Sequence, residues 1–509
     1  MRVRIAECGM RIGLTIMKAV ILLVGTVCLI ATTTLAADDP VQKAMKAYEK
    51  HRYEDAGRDL RAALPSLEQS KQSSAQLALG MIYLRNAELH RGFAQVSAAV
   101  NADYLRRLAA ERGAGRSQYS DLYLGLALLE SGKADAATLA LDKFLAAGDE
   151  PKYKAVATVA LGMAALSTGN KQQASELWSG VNGSDPEVKT ALAAAYSRAG
   201  LQDKDPVRLC DEALMDIKKG GKALSLMAVK NCVGAYGRAG VPDKGFDLLS
   251  RADLKSYFYR EAIGKSKVLS FYDVQLLSDL SAFYFQASLA ALEKASADQQ
   301  LKGFTSYYLG EAHVLAGNAD LAAKATAAFL ASPQMPPQYK SKAMVRQGAI
   351  QHQKGKQSEA IGVWDDLLRK QPGDPELLAD ILITCTRLRI DCPRVEQTST
   401  TAIESGDGKR FAILNVALGR YFLGKKDLGK AVSCLETGRD KGNKNKIESN
   451  DPLMLVSMSD AYYRTKKFSE ALEIYFEMSK QFPQVRQIQE ALQGIYSMEH
   501  KSAGDVKIN

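Results

Sequence analysis

The sequence predicts an all-α fold in which helix hairpins stack into a solenoid. The composition is rich in Ala, Leu, Lys and Glu, with 7% aromatic residues and only 14 prolines in 509 residues, which favours helices. Pairs of small residues twelve positions apart recur along the chain, and a glycine often lies midway between the two members. Because a catalytic site is needed once whereas a structural unit is stacked many times, this recurrence indicates a repeat protein.

The repeated unit is a small residue, a second small residue twelve positions later, and usually a larger side chain four positions after that. Small side chains let two helices approach, and the larger one fills the groove against the next unit. The midway glycines fall where a helix must stop and a left-handed residue costs least. These glycines are Gly132, Gly169, Gly317, Gly355 and Gly424. The units are Ala44/Ala56/Leu60, Gly125/Ala137/Leu141, Gly162/Ala174/Trp178, Gly310/Ala322/Thr326, Gly348/Ala360/Trp364, Gly419/Ala431/Leu435 and Ser459/Ala471/Tyr475, with weaker copies at Gly80/Gly92 and Val233/Gly245/Leu249.

These motifs resemble the tetratricopeptide repeat, which combines a Leu-Gly pair, an aromatic residue three positions later, an alanine and a closing proline. The departures are Gln351 and His313, which stand where an aromatic residue is usual, and the general absence of the opening tryptophan. The resemblance implies a tetratricopeptide-like superhelix of antiparallel helix pairs. The matching residues are Leu79-Gly80, Leu124-Gly125, Leu161-Gly162, Leu309-Gly310 and Leu418-Gly419, the aromatics Tyr83, Phe422 and Tyr462, and the prolines Pro186, Pro372 and Pro483.

The number of units follows from the spacing between successive copies. Most steps are 36 to 45 residues, but three are 71, 77 and 71 residues long, so each long step should contain one degenerate helix pair. These hidden pairs are expected around 191–217, 278–295 and 376–388. Nine visible units and three hidden ones give about twelve helix pairs, followed by a capping helix after Pro483.

Some tetratricopeptide proteins grip a partner's C-terminal carboxylate with Lys and with an Asn that directly follows the Leu-Gly pair. In this sequence that position holds Met81, Leu126, Met163, Glu311, Ala349 and Arg420. The resemblance therefore does not carry that activity over to this chain.

The sequence predicts five segments. Residues 1–36 form a signal peptide, 37–252 an N-terminal solenoid half, 253–300 an aromatic-rich helical bend or insert, 301–500 a C-terminal solenoid half, and 501–509 a flexible tail. The repeat pattern runs through both halves, whereas it is interrupted in the aromatic-rich segment.

The N-terminal segment has the pattern of a secretory signal. Lys18 precedes an apolar run that leads to Thr34-Leu35-Ala36, a small-residue cleavage site. The run is shorter than the ~20 residues that span a bilayer, so cleavage and no remaining membrane span are expected. Met17 begins a complete signal, which makes residues 1–16 an upstream extension. The expected compartment is the bacterial periplasm, with a retained signal anchor or eukaryotic secretion as alternatives.

Five cysteines remain after cleavage, and an oxidising compartment makes disulfides plausible. The local pairs are Cys210/Cys232 and Cys385/Cys392, which would leave Cys434 free. The alternative is that all five are small apolar residues buried between helices.

Charge and motifs exclude several classes of function. The net charge is +10, and +7 without residues 1–36, but the Lys and Arg residues are dispersed, so no nucleic-acid surface is predicted. The five histidines never reach metal-ligand spacing, and neither a metal nor a cofactor is expected. Gly264-Lys265-Ser266 resembles the end of a phosphate loop, but Tyr259 stands where its first glycine is required. The chain is therefore interpreted as not an enzyme.

An aromatic-rich stretch at residues 254–286 breaks the repeat rhythm. Aromatic residues near Lys and Arg carry binding energy at interfaces, so this stretch is one candidate surface for a partner. The alternative is that its rings pack a bend between the two solenoid halves. The candidate partner-binding residues are Tyr257, Tyr259, Phe271, Tyr272 and Phe283.

These observations favour a non-catalytic scaffold that binds protein partners in the bacterial periplasm or envelope. One alternative is a scaffold subunit of an outer-membrane exopolysaccharide or protein secretion and assembly complex. A second, from a different class, is an accessory envelope hydrolase with an unrecognised site.

Overall fold

The structure is a computed structural model that describes residues 39–110, 120–130, 132–147, 150–221, 224–251, 258–263, 267–272, 274–332, 336–405, 412–439 and 452–481. Within these ranges there are 22 α-helices, two short 3-10 turns and one two-stranded antiparallel hairpin. The all-α fold class predicted from the sequence, in which helix hairpins stack into a solenoid, is confirmed. The predicted signal peptide, the predicted capping helix after Pro483 and the predicted tail lie outside the described residues.

The helices follow one another along the chain with short connections. The first eleven are α1 Pro40–Glu49, α2 Tyr53–Ala63, α3 Gln69–Ala110, α4 Ser120–Glu130, α5 Ala134–Ala147, α6 Pro151–Ser167, α7 Lys171–Ser179, α8 Pro186–Ala199, α9 Pro206–Lys219, α10 Leu226–Arg238 and α11 Pro242–Arg251. Strands β1 Phe258–Ile263 and β2 Lys267–Tyr272 come next. The remaining helices are α12 Val274–Ala295, α13 Lys302–Leu315, α14 Ala319–Leu330, α15 Pro337–Gln353, α16 Gln357–Lys370, α17 Pro375–Leu388, α18 Pro393–Glu404, α19 Ala412–Gly424, α20 Leu428–Arg439, α21 Pro452–Arg464 and α22 Phe468–Gln481.

The twelve-residue spacing acts through close helix contact. At Gly125 a Cβ atom would lie 2.6 Å from Cγ of Leu141, and at Gly419 one would lie 2.7 Å from Cγ of Leu435. In two units the larger residue is a tryptophan that is also hydrogen-bonded. Nε1 of Trp178 donates to the carbonyl of Val159 at 3.0 Å, and Nε1 of Trp364 donates to the carbonyl of Val345 at 2.9 Å. In these four units a ring or a branched side chain therefore packs directly against the backbone of a glycine.

Helix starts and turns follow local sequence chemistry. Asp-Pro pairs begin several helices, because proline fits the first helical position and the aspartate caps free backbone N–H groups. Asp185, for example, accepts from the N–H groups of Glu187 and Val188 at 2.8 and 3.2 Å. Four of the predicted turn glycines have a positive φ, namely Gly132, Gly169, Gly317 and Gly355. The prediction for Gly424 is wrong, because Lys426 supplies the left-handed residue of that turn, with a φ of 64°.

One helix pair is assembled from distant parts of the sequence. The hairpin predicted at Gly80/Gly92 does not form, because α3 continues through both glycines. Instead α12 packs on α3: Leu292 occupies the space beside Gly80, where a Cβ would lie 2.5 Å from its Cγ, and Oγ of Ser288 donates to the carbonyl of Gly80 at 2.7 Å. Ser288 and Leu292 are four positions apart, like the small and large residues of the other units. The two units predicted near Gly80 and at 278–295 are therefore two halves of one pair.

The described helices consequently form eleven pairs rather than about twelve. Seven pairs make a main solenoid, with the order α1/α2, α3/α12, α13/α14, α15/α16, α17/α18, α19/α20 and α21/α22. The other four, α4/α5, α6/α7, α8/α9 and α10/α11, form an arm inserted between α3 and α12. The predicted division into two consecutive solenoid halves does not describe this arrangement, since the arm interrupts the second pair of the main solenoid.

The aromatic-rich segment is not helical throughout. Residues 258–263 and 267–272 form antiparallel strands, with Tyr259 opposite Phe271 and Phe258 opposite Tyr272, so the expectation of a helical bend or insert is wrong at these two strands. Aromatic and β-branched residues favour strands. Helical structure resumes with α12 at Val274.

A buried ion-pair group joins the inserted arm to α12. Asp279 of α12 is fully buried, and its Oδ1 accepts from Nη2 of Arg198 on α8 and from Nη2 of Arg238 on α10, both at 2.8 Å. Burial alone would raise the pKa of Asp279, but the two guanidinium groups outweigh it and lower the pKa below its usual value. Three helices are thus held at one carboxylate.

The close contact at Gly348 predicts the effect of adding a single methyl group. Gly348→Ala should destabilise the protein by about 1–3 kcal/mol, because the new Cβ would overlap the indole of Trp364. Gly362→Ala is the matched control: Gly362 is an exposed helical residue with nothing within 4 Å of the added Cβ, and alanine should stabilise it by up to about 1 kcal/mol. Urea unfolding followed by circular dichroism measures both. Equal effects at the two sites would contradict the packing role of Gly348.

The buried carboxylate predicts a large cost for losing one charge. Asp279→Asn should cost about 3–5 kcal/mol, because it leaves two arginines facing a neutral group away from water. Asp366→Asn breaks the exposed pair with Arg369 and should cost at most about 1 kcal/mol. Urea unfolding of the two variants compares these values. A loss at Asp279 no larger than at Asp366 would show that this group does not anchor the arm.

Candidate functional site

The main solenoid encloses a central cavity of about 850 Å³. The first helix of each of its seven pairs contributes to the lining: α1, α3, α13, α15, α17, α19 and α21. Helix α21 of the seventh pair contacts α3 of the second, so the superhelix closes on itself around this space. A cavity of this size falls in the range of ligand pockets.

Tyrosines form one wall of the central cavity. The rings of Tyr307 and Tyr339 are 4.8 Å apart and nearly perpendicular, and those of Tyr307 and Tyr308 are 5.1 Å apart. Tyr48 and Tyr53 also line the cavity, with ring centroids 5.2 Å apart. Burial raises the pKa values of Tyr308 and Tyr339. Their hydroxyl groups therefore stay neutral and able to donate hydrogen bonds at physiological pH.

Arg346 is fixed against this wall. Its guanidinium carbon lies 4.4 Å from the centroid of the Tyr307 ring, and its Nη1 donates to the Tyr307 carbonyl at 2.8 Å. A Cβ at Gly310 would come within 2.8 Å of that Nη1, so the glycine of the Leu309-Gly310 pair makes room for the arginine. A cation stacked on an aromatic face and hydrogen-bonded to backbone is held in one orientation.

Glu88 of α3 stands between two arginines that line the cavity. Nη1 of Arg85 contacts Oε2 of Glu88 at 2.5 Å, and Arg387 of α17 forms an ion pair with Oε1. Although burial opposes ionisation, Arg387 and Arg85 lower the pKa of Glu88 to about 2. This carboxylate links the second and fifth pairs of the main solenoid across the cavity.

Positive charge exceeds negative charge in the lining. The basic residues there are Arg85, Arg91, Arg346, Arg387, Arg420 and Lys342, against the acidic residues Glu49, Glu311 and Asp380. Arg91 is solvent-accessible, yet the protein around it and the like charges of Arg387 and Arg389 lower its pKa. Lys342 lies 3.6 Å from Asp380, but burial still raises the pKa of that carboxyl. Among the described lining residues, six basic side chains therefore stand against three acidic ones, and Glu88, which contacts two of these arginines, adds a fourth carboxylate.

Of the candidate partner-binding residues from the sequence, Phe283 alone has a described side chain, and that side chain does not line this cavity. Tyr257 lies outside the described residues, and Tyr259, Phe271 and Tyr272 lie in the β1–β2 hairpin; their role stays a prediction. Phe283 is fully buried, its ring is 4.7 Å from that of Phe246, and it fills the space beside two glycines of α10 and α11. The prediction that Phe283 contacts a partner is wrong, because its ring joins α12 to the arm.

The two cysteine pairs differ. Cys385 and Cys392 are joined by a disulfide, with Cα atoms 6.5 Å apart. Cys210 and Cys232 are both buried free thiols, so the disulfide expected there is absent. Burial and a hydrogen bond with Cys210 raise the pKa of the Cys232 thiol, which keeps it protonated. Cys434 is also a free thiol.

Two further properties concern only the part of the chain that the structure describes. Within it, no group of three or more His, Cys, Asp or Glu side chains is placed to hold a metal ion. Across the same ranges, no helix combines the length and hydropathy needed to cross a membrane.

One position of the repeat marks the cavity lining in the sequence. The residue directly after the Leu-Gly glycine faces the central cavity in four units, where it is Met81, Glu311, Ala349 or Arg420. In the inserted arm, Leu126 and Met163 line a smaller pocket of about 40 Å³. The position therefore marks the inner face of both solenoids, whichever residue occupies it.

Fold and cavity together define an all-α solenoid of helix hairpins that surrounds a cavity lined by tyrosines and arginines. No protein-family model and no curated protein matches the chain. Among solved structures the chain is similar to the APC/C hetero-tetramer Cut9-Hcn1, at 13% identity over 89% of this chain and 95% of that chain, with a TM-score of 0.27. It is also similar to yeast Tom70, at 13% identity over 92% and 96%, with a TM-score of 0.33. Likeness at this level carries no argument about function.

The lowered pKa of Glu88 predicts a specific acid sensitivity. Its folded pKa of about 2 lies below the usual value of about 4.3 for an unfolded chain, so its stabilisation is present above pH ~4.3 and is lost as the pH falls towards ~2. Glu88→Gln should lower stability at neutral pH and flatten the decline between pH ~5 and ~3. Glu359→Gln, in an exposed pair with Lys356, is the control. Parallel urea-midpoint profiles of wild type and Glu88→Gln would contradict the assignment.

Proposed function

We propose that this chain is a non-catalytic protein-interaction scaffold that holds a partner segment in its central cavity. The observation that carries the proposal is the lining itself: tyrosines and arginines from the first helices of the main solenoid converge on one space. Tyr and Arg are enriched among the residues that dominate binding energy at interfaces. The opposite sides of these helices supply the packed core, so the inner side chains are left for binding.

The geometry limits what can bind. A space of about 850 Å³ is comparable to pockets that enclose a drug-sized ligand, and is far smaller than a folded domain. The partner is therefore proposed to insert an extended segment. Closure of the superhelix through α3 and α21 keeps the lining preorganised, which reduces the ordering cost of binding.

The envelope location is part of the proposal and rests on the signal-like sequence at residues 17–36. Its test is fractionation of the native host, with N-terminal sequencing of the mature protein. Periplasmic recovery with a new N-terminus after Ala36 or Ala37 supports it. Recovery in the cytoplasm with residues 17–36 intact would remove the envelope from the proposal while leaving the cavity argument unchanged.

Site-specific photo-crosslinking in the native host tests the scaffold role. A photoreactive residue at Glu49, which is exposed and lines the cavity, should give a discrete adduct with a partner protein. The same residue at Ile361, exposed on the outer helix α16, is the control and should give none. Adducts from Ile361 alone would place the binding surface on the outside, and the proposed use of the cavity would be wrong.

A further inference from the structure

We propose that the arginine-rich side of the central cavity binds an acidic segment of the partner protein through its carboxylate groups. This rests on the proposed function and specifies the chemistry of the segment. The arginines concerned are Arg85, Arg91, Arg387 and Arg420, which line the cavity from α3, α17 and α19.

Glu88 shows what this group of arginines binds. Its carboxylate contacts Arg85 through one oxygen and Arg387 through the other, and contacts of this kind between ionised groups are stronger than those between neutral ones. Arg85 lies on the same helix as Glu88, whereas Arg387 is 299 residues away from Glu88 in sequence. The protein's own side chain thus occupies one carboxylate position and demonstrates that the guanidinium groups are oriented for such a partner.

Glu88 is a single carboxylate shared by two arginines. It carries one negative charge, and Arg420 and Arg91 act on it electrostatically in addition to its two direct partners. Arg91 is solvent-accessible and lies close enough to Arg387 and Arg389 for like charges to disfavour its protonated form. Additional carboxylates would relieve this repulsion, which is the electrostatic complementarity that selects an acidic partner.

The tyrosines and methionines of the lining support a peptide rather than a bare anion. Tyr48, Tyr53 and Tyr308 are only half-buried and line the cavity, so their rings border the space that the ligand would occupy. Met45 and Met81 add apolar surface to the same lining. Such a surface accommodates the backbone and apolar side chains of an extended segment, whereas an inorganic ion would leave it unused.

The test is fluorescence anisotropy with the full chain and two labelled probes, hexaglutamate and hexaglutamine. Hexaglutamate should bind, hexaglutamine should bind at least about tenfold more weakly, and binding should weaken as NaCl rises from about 50 to about 300 mM. Failure of hexaglutamate to bind, or equal binding of both probes, would overturn the inference. Full displacement by millimolar inorganic phosphate would also overturn it, because the site would then be one for small anions.

The variant Arg91→Gln/Arg420→Gln should weaken hexaglutamate binding by about tenfold or more. The matched control Arg208→Gln/Arg369→Gln removes two exposed arginines of the outer helices α9 and α16 and should bind like wild type. Circular dichroism melting establishes that both variants are folded. If the Arg91→Gln/Arg420→Gln variant fails to fold, the binding of hexaglutamate and hexaglutamine to the wild-type chain still tests the inference. Equal loss in both folded variants would show that overall charge, and not the cavity, governs binding.

The two proposals can fail separately. A crosslink at Glu49 without hexaglutamate binding would keep the scaffold role and overturn the acidic-segment chemistry. Hexaglutamate binding without any protein crosslink at Glu49 would support the chemistry of the cavity and overturn the scaffold role.

Discussion

The contact between α3 and α12 determines how the rest of the chain is arranged. Ser288 donates to the carbonyl of Gly80, and Leu292 packs on the bare backbone of the same glycine. Through this pair the main solenoid continues from α2 to α13. The inserted arm, α4 to α11, begins after α3 and ends before α12, so both of its ends connect to this one helix pair. Without it the first two helices would have no neighbour on one side, because a helix hairpin cannot bury its apolar face alone.

The buried group at Asp279 and the ring of Phe283 extend the same contact into the arm. Arg198 and Arg238 come from two successive first helices of the arm and meet one carboxylate of α12. Phe283, one turn further along α12, lies against Gly237 and Gly245. One helix therefore serves as the second member of a main-solenoid pair at one end and as the attachment of the arm at the other.

Much of the fold could be predicted because most helix pairs are local in sequence. Gly348 and Trp364 are sixteen residues apart, so their contact can be predicted from their spacing in the sequence. Gly80 and Ser288 are 208 residues apart, and a contact over that separation cannot be predicted from a fixed repeat spacing. The cavity could not be located for a related reason, since it depends on closure between α3 and α21, although the position after the Leu-Gly glycine was a visible marker of its lining. The β1–β2 hairpin was missed because aromatic clusters were interpreted as helical packing.

The split pair also sets an order of events during folding. Helix α3 is complete long before α12 exists, and everything between them must be made first. The four pairs of the arm involve mostly contacts between neighbours in sequence, which form quickly, whereas the α3–α12 contact must close a loop of about two hundred residues and is correspondingly slow. The arm is thus able to fold first and to bring α12 back towards α3. A folded arm reduces the effective length of the loop that the α3–α12 contact must close.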